Sequence, residues 1–337
     1  MSTGALSAQA HPYLLRSGEG QHYALTGQLA TLIAQSGDTG GLFEAAIVCG
    51  GHHGNFPLHQ HNHTHEAIFV LDGGLDFRLG DSRYQLSAGD FASIPPGTVH
   101  AYRMESHRTR FISWTTGAEG GGIYRILGRP TSAMVHENSA EDVLPPDLLR
   151  SAEKSIDVQF SREDSLLPQP RPCGDLIPEG TTPYVLASRE GERLLAGDQL
   201  FTFLARQANT NDIFLVLATE GPKGDKIGEH YHERHTETFL CLEGQMTMWA
   251  NGEELRLLPG DSLHVPPRTI HSYRLDSYYT RFIGFLTPGL FEPFFWTLCE
   301  PYGDYIFPIH PGPVRFDRVL QRLPELDLKL VRPPQAH

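Results

Sequence analysis

Cysteine is scarce in this 337-residue chain, and the four present, Cys49, Cys173, Cys241 and Cys299, form no CxxC pair. A dense disulfide framework and a cysteine-built zinc site are thereby excluded, and free thiols in a reducing compartment are expected. Basic charge is also in deficit: 27 Lys and Arg stand against 40 Asp and Glu, a net charge of −13. That balance speaks against nucleic acid and membrane surfaces as partners. The chain has no apolar run of about 18 residues, so no spanning helix is expected. Residues 1–10 lack a basic start followed by an apolar core, so they do not read as a secretion signal, and a cytoplasmic location is expected. The 39% hydrophobic content and 34 glycines fit a turn-rich globular protein whose length favours two domains.

Histidine, by contrast, is concentrated in one stretch, His59-Gln60-His61-Asn62-His63-Thr64-His65-Glu66. Alternate residues of a strand share a face, so His59 and His61 point the same way. A neighbouring strand beginning at Glu66 can bring its carboxylate to the same point. This mix of imidazole and carboxylate suits Fe, Mn, Ni, Co, Cu or Zn and does not choose among them.

The chain contains itself twice. A shift of 171 residues carries His59, His61 and Glu66 onto His230, His232 and Glu237. The same shift maps Pro12-Tyr13 onto Pro183-Tyr184, Gly73 onto Gly244, Gly89-Asp90 onto Gly260-Asp261, and Pro95-Pro96 onto Pro266-Pro267. It maps His100 onto His271, Arg110-Phe111 onto Arg281-Phe282, and Pro130 onto Pro301, with no gap.

Two domains of one fold follow: residues 1–130 and 183–305, joined by a proline-containing connector over 131–182. Residues 306–337 read as an extended tail packing on the surface. Each repeat reads as short strands between turns, such as Tyr84-Gln85-Leu86 and Phe91 to Ile94. Asn251-Gly252, between Met246 to Ala250 and Glu254 to Leu258, is a strong hairpin signal. Such spacing implies a mainly β chain of sandwiches or small barrels. Helix is expected within 138–161, and the apolar Leu290 to Leu298 reads as a helix packed between the domains.

The repeat selects the metal ligands. In each copy two histidines, a glutamate five residues beyond the second, and a histidine 41 residues beyond the first recur: His59, His61, Glu66 and His100, then His230, His232, Glu237 and His271. Three imidazoles and one carboxylate leave coordination positions open, which a catalytic ion needs. His52, His53, His63 and His65 have no histidine at the corresponding positions and read as surface or supporting residues. His235 maps onto Thr64 and is likewise set aside.

These residues resemble the cupin motifs. Gly224, His230, His232, Glu237 and Gly244 match G-x5-H-x-H-x3,4-E-x6-G, and Gly89, Pro95, Gly97 and His100 match the start of G-x5-P-x-G-x2-H-x3-N. The departures lie outside the ligands: Gly54 is one residue too close to His59, Arg268 replaces the inner glycine, and Met104 or Leu275 replaces the closing asparagine. Two tandem cupin domains, each a small β-barrel or jelly roll, with a few short helices, are what the resemblance implies. Among bicupins the chain is similar to the bacterial type of quercetin 2,3-dioxygenase. The segments 230–237 (HYHERHTE), 241–249 (CLEGQMTMW), 271–277 (HSYRLDS) and 288–295 (PGLFEPFF) carry that similarity.

The resemblance implies cleavage of a flavonol's central ring by O2, with release of carbon monoxide and a depside. It implies one divalent transition metal per domain (Fe, Mn, Co, Ni or Cu), with Glu66 and Glu237 as catalytic carboxylates. Glu66 would take the 3-hydroxyl proton, a role that depends on a raised pKa, which burial favours and a metal's charge opposes. Residues two beyond the ligands should share their inward face, so Ile68, Tyr102, Phe239 and Tyr273, with Phe111 and Phe282 on the following strands, are expected to line an apolar substrate pocket. The expected partners are a small aromatic substrate and O2; a homodimer is one assembly open to the chain, and the sequence does not fix the oligomeric state. A bicupin of the oxalate decarboxylase sort would need a polar cavity with a cationic anchor, and a binding or pirin-like regulatory cupin is the reading outside enzymes.

Overall fold

Runs rich in Val, Ile, Phe and Thr form antiparallel strands, and turn residues with positive φ separate them. The computed structural model describes residues 11–52, 54–117, 122–137, 143–161 and 168–331. Two units result, one from the described parts of Gly18–Glu190 and one from the described parts of Ala10–Ser17 and Gly191–His337. Each holds an eight-stranded and a five-stranded antiparallel sheet.

In the first unit the larger sheet runs Arg129–Pro130, Gln21–Leu25, Gln28–Ala34, Phe43–Gly50, Thr109–Thr116, Glu66–Asp72, Phe91–Ile94 and Tyr184–Leu186. The smaller runs Gln159–Phe160, Asn55–Gln60, His100–Met104, Gly74–Leu79 and Ser82–Ser87. The second unit repeats this order, with Tyr13–Leu15 in the place of Tyr184–Leu186 and Lys329–Leu330 in the place of Gln159–Phe160. Apolar residues from both sheets meet in a core that includes Ile68, Phe77, Phe111 and Ile94 in one unit and Met246, Met248, Leu263 and Phe282 in the other. The hairpin at Asn251-Gly252 forms as expected, with φ of 50° and 85°.

Two expectations are corrected. Residues 131–182 do not stand apart as a connector: their described part belongs to the first unit, supplying the helix Pro146–Ser155 and the strand Gln159–Phe160. The tail beyond 306 is not simply extended: it holds the helix Phe316–Arg322 and the strand Lys329–Leu330, which pairs with His230–Tyr231. The helix expected over Leu290 to Leu298 forms at Glu292–Leu298, where Phe295 packs against Phe201 and Phe203 at ring distances of 5.4 and 5.3 Å. Among the described residues no helix is long and apolar enough to cross a membrane.

Candidate metal centres

Each centre is assembled from both sheets of a unit. His59 lies in Asn55–Gln60 and pairs directly across the ladder with His100, the first residue of the adjoining strand. His61 follows one residue past that strand's end, and Glu66 opens a strand of the opposite sheet. His230 pairs with His271 in the same way. His59, His61, Glu66 and His100 are all buried and can each place a donor atom within 4.8 Å of the others, as can His230, His232 and His271. Glu237 joins the second set, its Oε2 2.9 Å from His271 Nε2 and 3.7 Å from His232 Nε2.

The backbone decides which imidazole nitrogen faces inward. Nδ1 of His59 donates to the carbonyl of Pro57, of His100 to Thr98, of His230 to Gly228 and of His271 to Thr269, each at 2.9 Å. Nδ1 of His61 donates to the Asp157 carbonyl, and that of His232 to the Asp327 carbonyl at 2.6 Å. A carbonyl oxygen only accepts, so each Nδ1 carries a proton, and each ring in its neutral form turns the Nε2 lone pair inward. The buried Nε2 atoms of His61, His232 and His271 make no hydrogen bond with the described residues. Converging lone pairs beside a carboxylate repel unless a cation sits among them, so the donor sets fit one divalent transition metal ion per unit.

Asp157 and Asp327 escaped the sequence reading. The Asp157 carboxylate accepts the backbone N–H groups of Asn62, His63 and Thr64, each at 2.8 Å. Asp327 accepts those of Glu233, Arg234 and His235 at 3.0 to 3.2 Å. The two aspartates therefore hold equivalent loops that carry the ligands. The shared pattern Ile156-Asp157-Val158-Gln159-Phe160 and Leu326-Asp327-Leu328-Lys329-Leu330 is the signal that extends the repeat, now at a shift of 170.

His235 also gains a place. It is buried, its Nδ1 2.8 Å from Asp327 Oδ2 and its Nε2 3.5 Å from Glu237 Oε1, and with His232 and Asp327 it forms a third group of metal-binding character. Among the other histidines, His52 and His63 are exposed, His65 is buried against Ser93 at 2.9 Å, and His53 lies outside the described residues. Ile68, Tyr102, Phe111, Phe239 and Phe282 are buried in the two cores, and Tyr273 is partly buried. Tyr102 meets Phe111 edge-on at 5.0 Å, and Tyr273 meets Phe282 at 5.5 Å.

The electrostatics correct one expectation. Burial pushes Glu66 upward, but the imidazoles of His100 and His61 beside it outweigh burial and hold the carboxyl well below its usual range. Glu237 is likewise held low against burial, by His232, His235 and His271. Neither glutamate has the raised pKa that a base role was expected to need. His59 is driven well below its ordinary value by burial and its neighbouring imidazoles, and His230 by burial to about 4, so both stay neutral at pH 7.

Comparison with known proteins meets this geometry. The cupin domain model matches residues 48–114 and 217–278, the stretches that hold the two centres. A quercetin 2,3-dioxygenase of Bacillus subtilis (strain 168) is 49% identical over 99% of both chains. The chain belongs to the quercetin 2,3-dioxygenase family of two-domain cupins. Another quercetin 2,3-dioxygenase, from Aspergillus japonicus, is 30% identical over 36% of this chain and 37% of its own. An oxalate decarboxylase structure from Bacillus subtilis shares the fold alone, with a TM-score of 0.55 at 12% identity, covering 84% of this chain and 78% of that one.

Proposed function

We propose that this chain is a metal-dependent dioxygenase that cleaves the central ring of flavonols with O2, yielding carbon monoxide and a depside. The observation that carries the reading is the pair of inward Nε2 sets, each beside one carboxylate, in a chain 49% identical along its length to a quercetin 2,3-dioxygenase. A bound divalent ion supplies a Lewis-acid and one-electron centre where those atoms converge.

The chain's own residues prepare the reaction. His59, His61 and His100, and in the second unit His230, His232 and His271, act as ligands together with Glu66 and Glu237. The glutamates are ionised at neutral pH and can accept the 3-hydroxyl proton. A carboxylate held so low is a weak base, so the hydroxyl must itself be acidified when the flavonol binds. Ile68, Tyr102 and Phe111, with Phe239, Tyr273 and Phe282, form the apolar wall beneath each centre and keep water from it.

Aerobic incubation with quercetin tests the reading. Its long-wavelength absorption should bleach while carbon monoxide appears in the headspace. Absence of carbon monoxide with every one of Fe, Mn, Co, Ni and Cu supplied would overturn it.

A further inference from the structure

The two units build their glutamates differently. In the first, Ser113 on Thr109–Thr116 donates its hydroxyl to Glu66 Oε1 at 2.7 Å, in a buried bond. Glu66 Oε2 is then turned toward His100 Nε2 at 3.0 Å and His61 Nε2 at 3.6 Å. Behind Ser113, the Tyr124 hydroxyl lies within hydrogen-bonding reach of both Ser113 and Tyr102. Ser113 spends its one proton on Glu66, so Tyr124 is the donor in their pair. Tyr102 in turn donates to Gln28 Oε1 at 2.8 Å, and Gln28 Nε2 is fixed on Thr26 and the Asn55 carbonyl. With Tyr124's proton on Ser113 and Tyr102's on Gln28, none is left between the two tyrosines, so the hydrogen-bonded run ends at Tyr124, and Tyr102 with Gln28 forms a second run that is tied to the backbone.

The second unit keeps the tyrosine–glutamine run and lacks the run that ends on the glutamate. Tyr273 still bonds Gln199 at 2.5 Å, the counterpart of Tyr102 with Gln28. The positions 171 residues beyond Ser113 and Tyr124 are Gly284 and Phe295, so both hydroxyls are missing together. No hydrogen-bond donor takes their place beside Gly284: the three atoms nearest a Cβ built there are Leu286 Cδ1 at 3.3 Å, Leu217 Cδ2 at 3.8 Å and the Leu217 carbonyl oxygen at 3.9 Å. Glu237 Oε1 instead faces His235 Nε2 at 3.5 Å, longer than the Ser113 bond.

We propose that Ser113, backed by Tyr124, is a positioning residue that fixes the Glu66 carboxylate and thereby makes the first centre the faster of the two. A carboxylate swings about its last torsion with little resistance, and one short hydrogen bond to a charged oxygen removes that freedom. The inference rests on the dioxygenase reading for its rate but not for its spectroscopy.

The test compares Ser113→Ala, Ser113→Thr and Tyr124→Phe with the unaltered full chain, each loaded with cobalt(II) to equal metal content. Ser113→Ala should lower kcat on the order of tenfold, the weight of one hydrogen bond to a charged group, with KM little changed. Its cobalt(II) visible bands should shift as the carboxylate turns. Ser113→Thr should restore both, and Tyr124→Phe should move both in the same direction by less. Unshifted bands in Ser113→Ala overturn the proposal, whatever the rate does. If no variant or parent cleaves a flavonol, the reaction reading alone fails, and the band shift still decides the positioning.

Discussion

The backbone carbonyl of Asp157 receives the Nδ1–H of His61 from 96 residues along the chain, while its carboxylate gathers three N–H groups of the loop that carries His61. One residue therefore sets the ring's tautomer and the loop's path together, and Asp327 does the same for His232.

Removing that support should loosen the metal before it harms the fold. Asp157→Ala orphans three N–H groups beside His61, and metal affinity at the first centre should fall about 10–100-fold. Asp157→Asn keeps an acceptor and should lose less. Metal titration followed by fluorescence, with thermal melts in excess ion and in chelator, checks both; equal affinity in Asp157→Ala and the parent refutes the assignment.

Glu66→Gln and Glu237→Gln separate the two centres as catalysts. Loss of a proton acceptor at the working site should lower kcat about 10²–10⁴-fold. The larger loss is expected for Glu66→Gln, measured as carbon monoxide release at matched metal content. Full rate in both variants would show that neither carboxylate takes the proton.

Proton release on metal binding should differ between the centres. Burial pulls His61 down, but Glu66 and the Asp157 carbonyl outweigh it and hold the ring above its ordinary 6.5. Below that raised value His61 keeps its proton, and an ion arriving at Nε2 must expel it. Affinity at the first centre should therefore climb with pH through the raised value and level off above it. His232 is held well below 6.5 by burial, so it adds no such step at neutral pH. Calorimetry in two buffers of different ionisation enthalpy, on His230→Ala and His59→Ala proteins, counts the protons at each centre.

Arg268 sits at φ 67°, where its counterpart Gly97 has φ 80°. The left-handed backbone is retained because the N–H of each residue donates 2.6 Å to the carbonyl of a ligand, His61 for Gly97 and His232 for Arg268. A side chain in that conformation costs about 1–2 kcal/mol. Arg268→Gly should therefore stabilise the protein by about 1 kcal/mol, since the exposed ion pair with Glu233 that it removes is worth little. Urea denaturation measures the gain; destabilisation would mean that the arginine makes a contact that matters.

These particulars show how far the sequence reaches. His59, His61, Glu66 and His100 were legible because a ligand set cannot drift in spacing, so the gapless shift of 171 exposed all four twice. Asp157 and Asp327 were not, because the segments before them diverge in length and composition, and their partners are backbone N–H groups, which leave no trace in residue type. His235 was set aside because it aligns with Thr64, yet the two act alike: each side chain bonds the aspartate of its own unit. Comparison by residue type missed a shared role filled by different chemistry. Ser113 and Tyr124 became visible only when the fold placed them in line behind Glu66.

The exchange of end strands has a consequence for dissecting the protein. Tyr13–Leu15 completes the sheet of the later unit and Tyr184–Leu186 that of the earlier one, each held at its end by an aspartate: Asp261 bonds the N–H of Ser17 at 2.9 Å, and Asp90 that of Ser188 at 2.8 Å. The stretch that duplicated and the stretch that folds are therefore offset from one another by a strand. A gene split where the repeats meet, near residue 182, would deliver two polypeptides each carrying the other's border strand. Each would expose an unpaired edge on Phe91–Ile94 or Ser262–Val265, the kind of edge that recruits foreign strands.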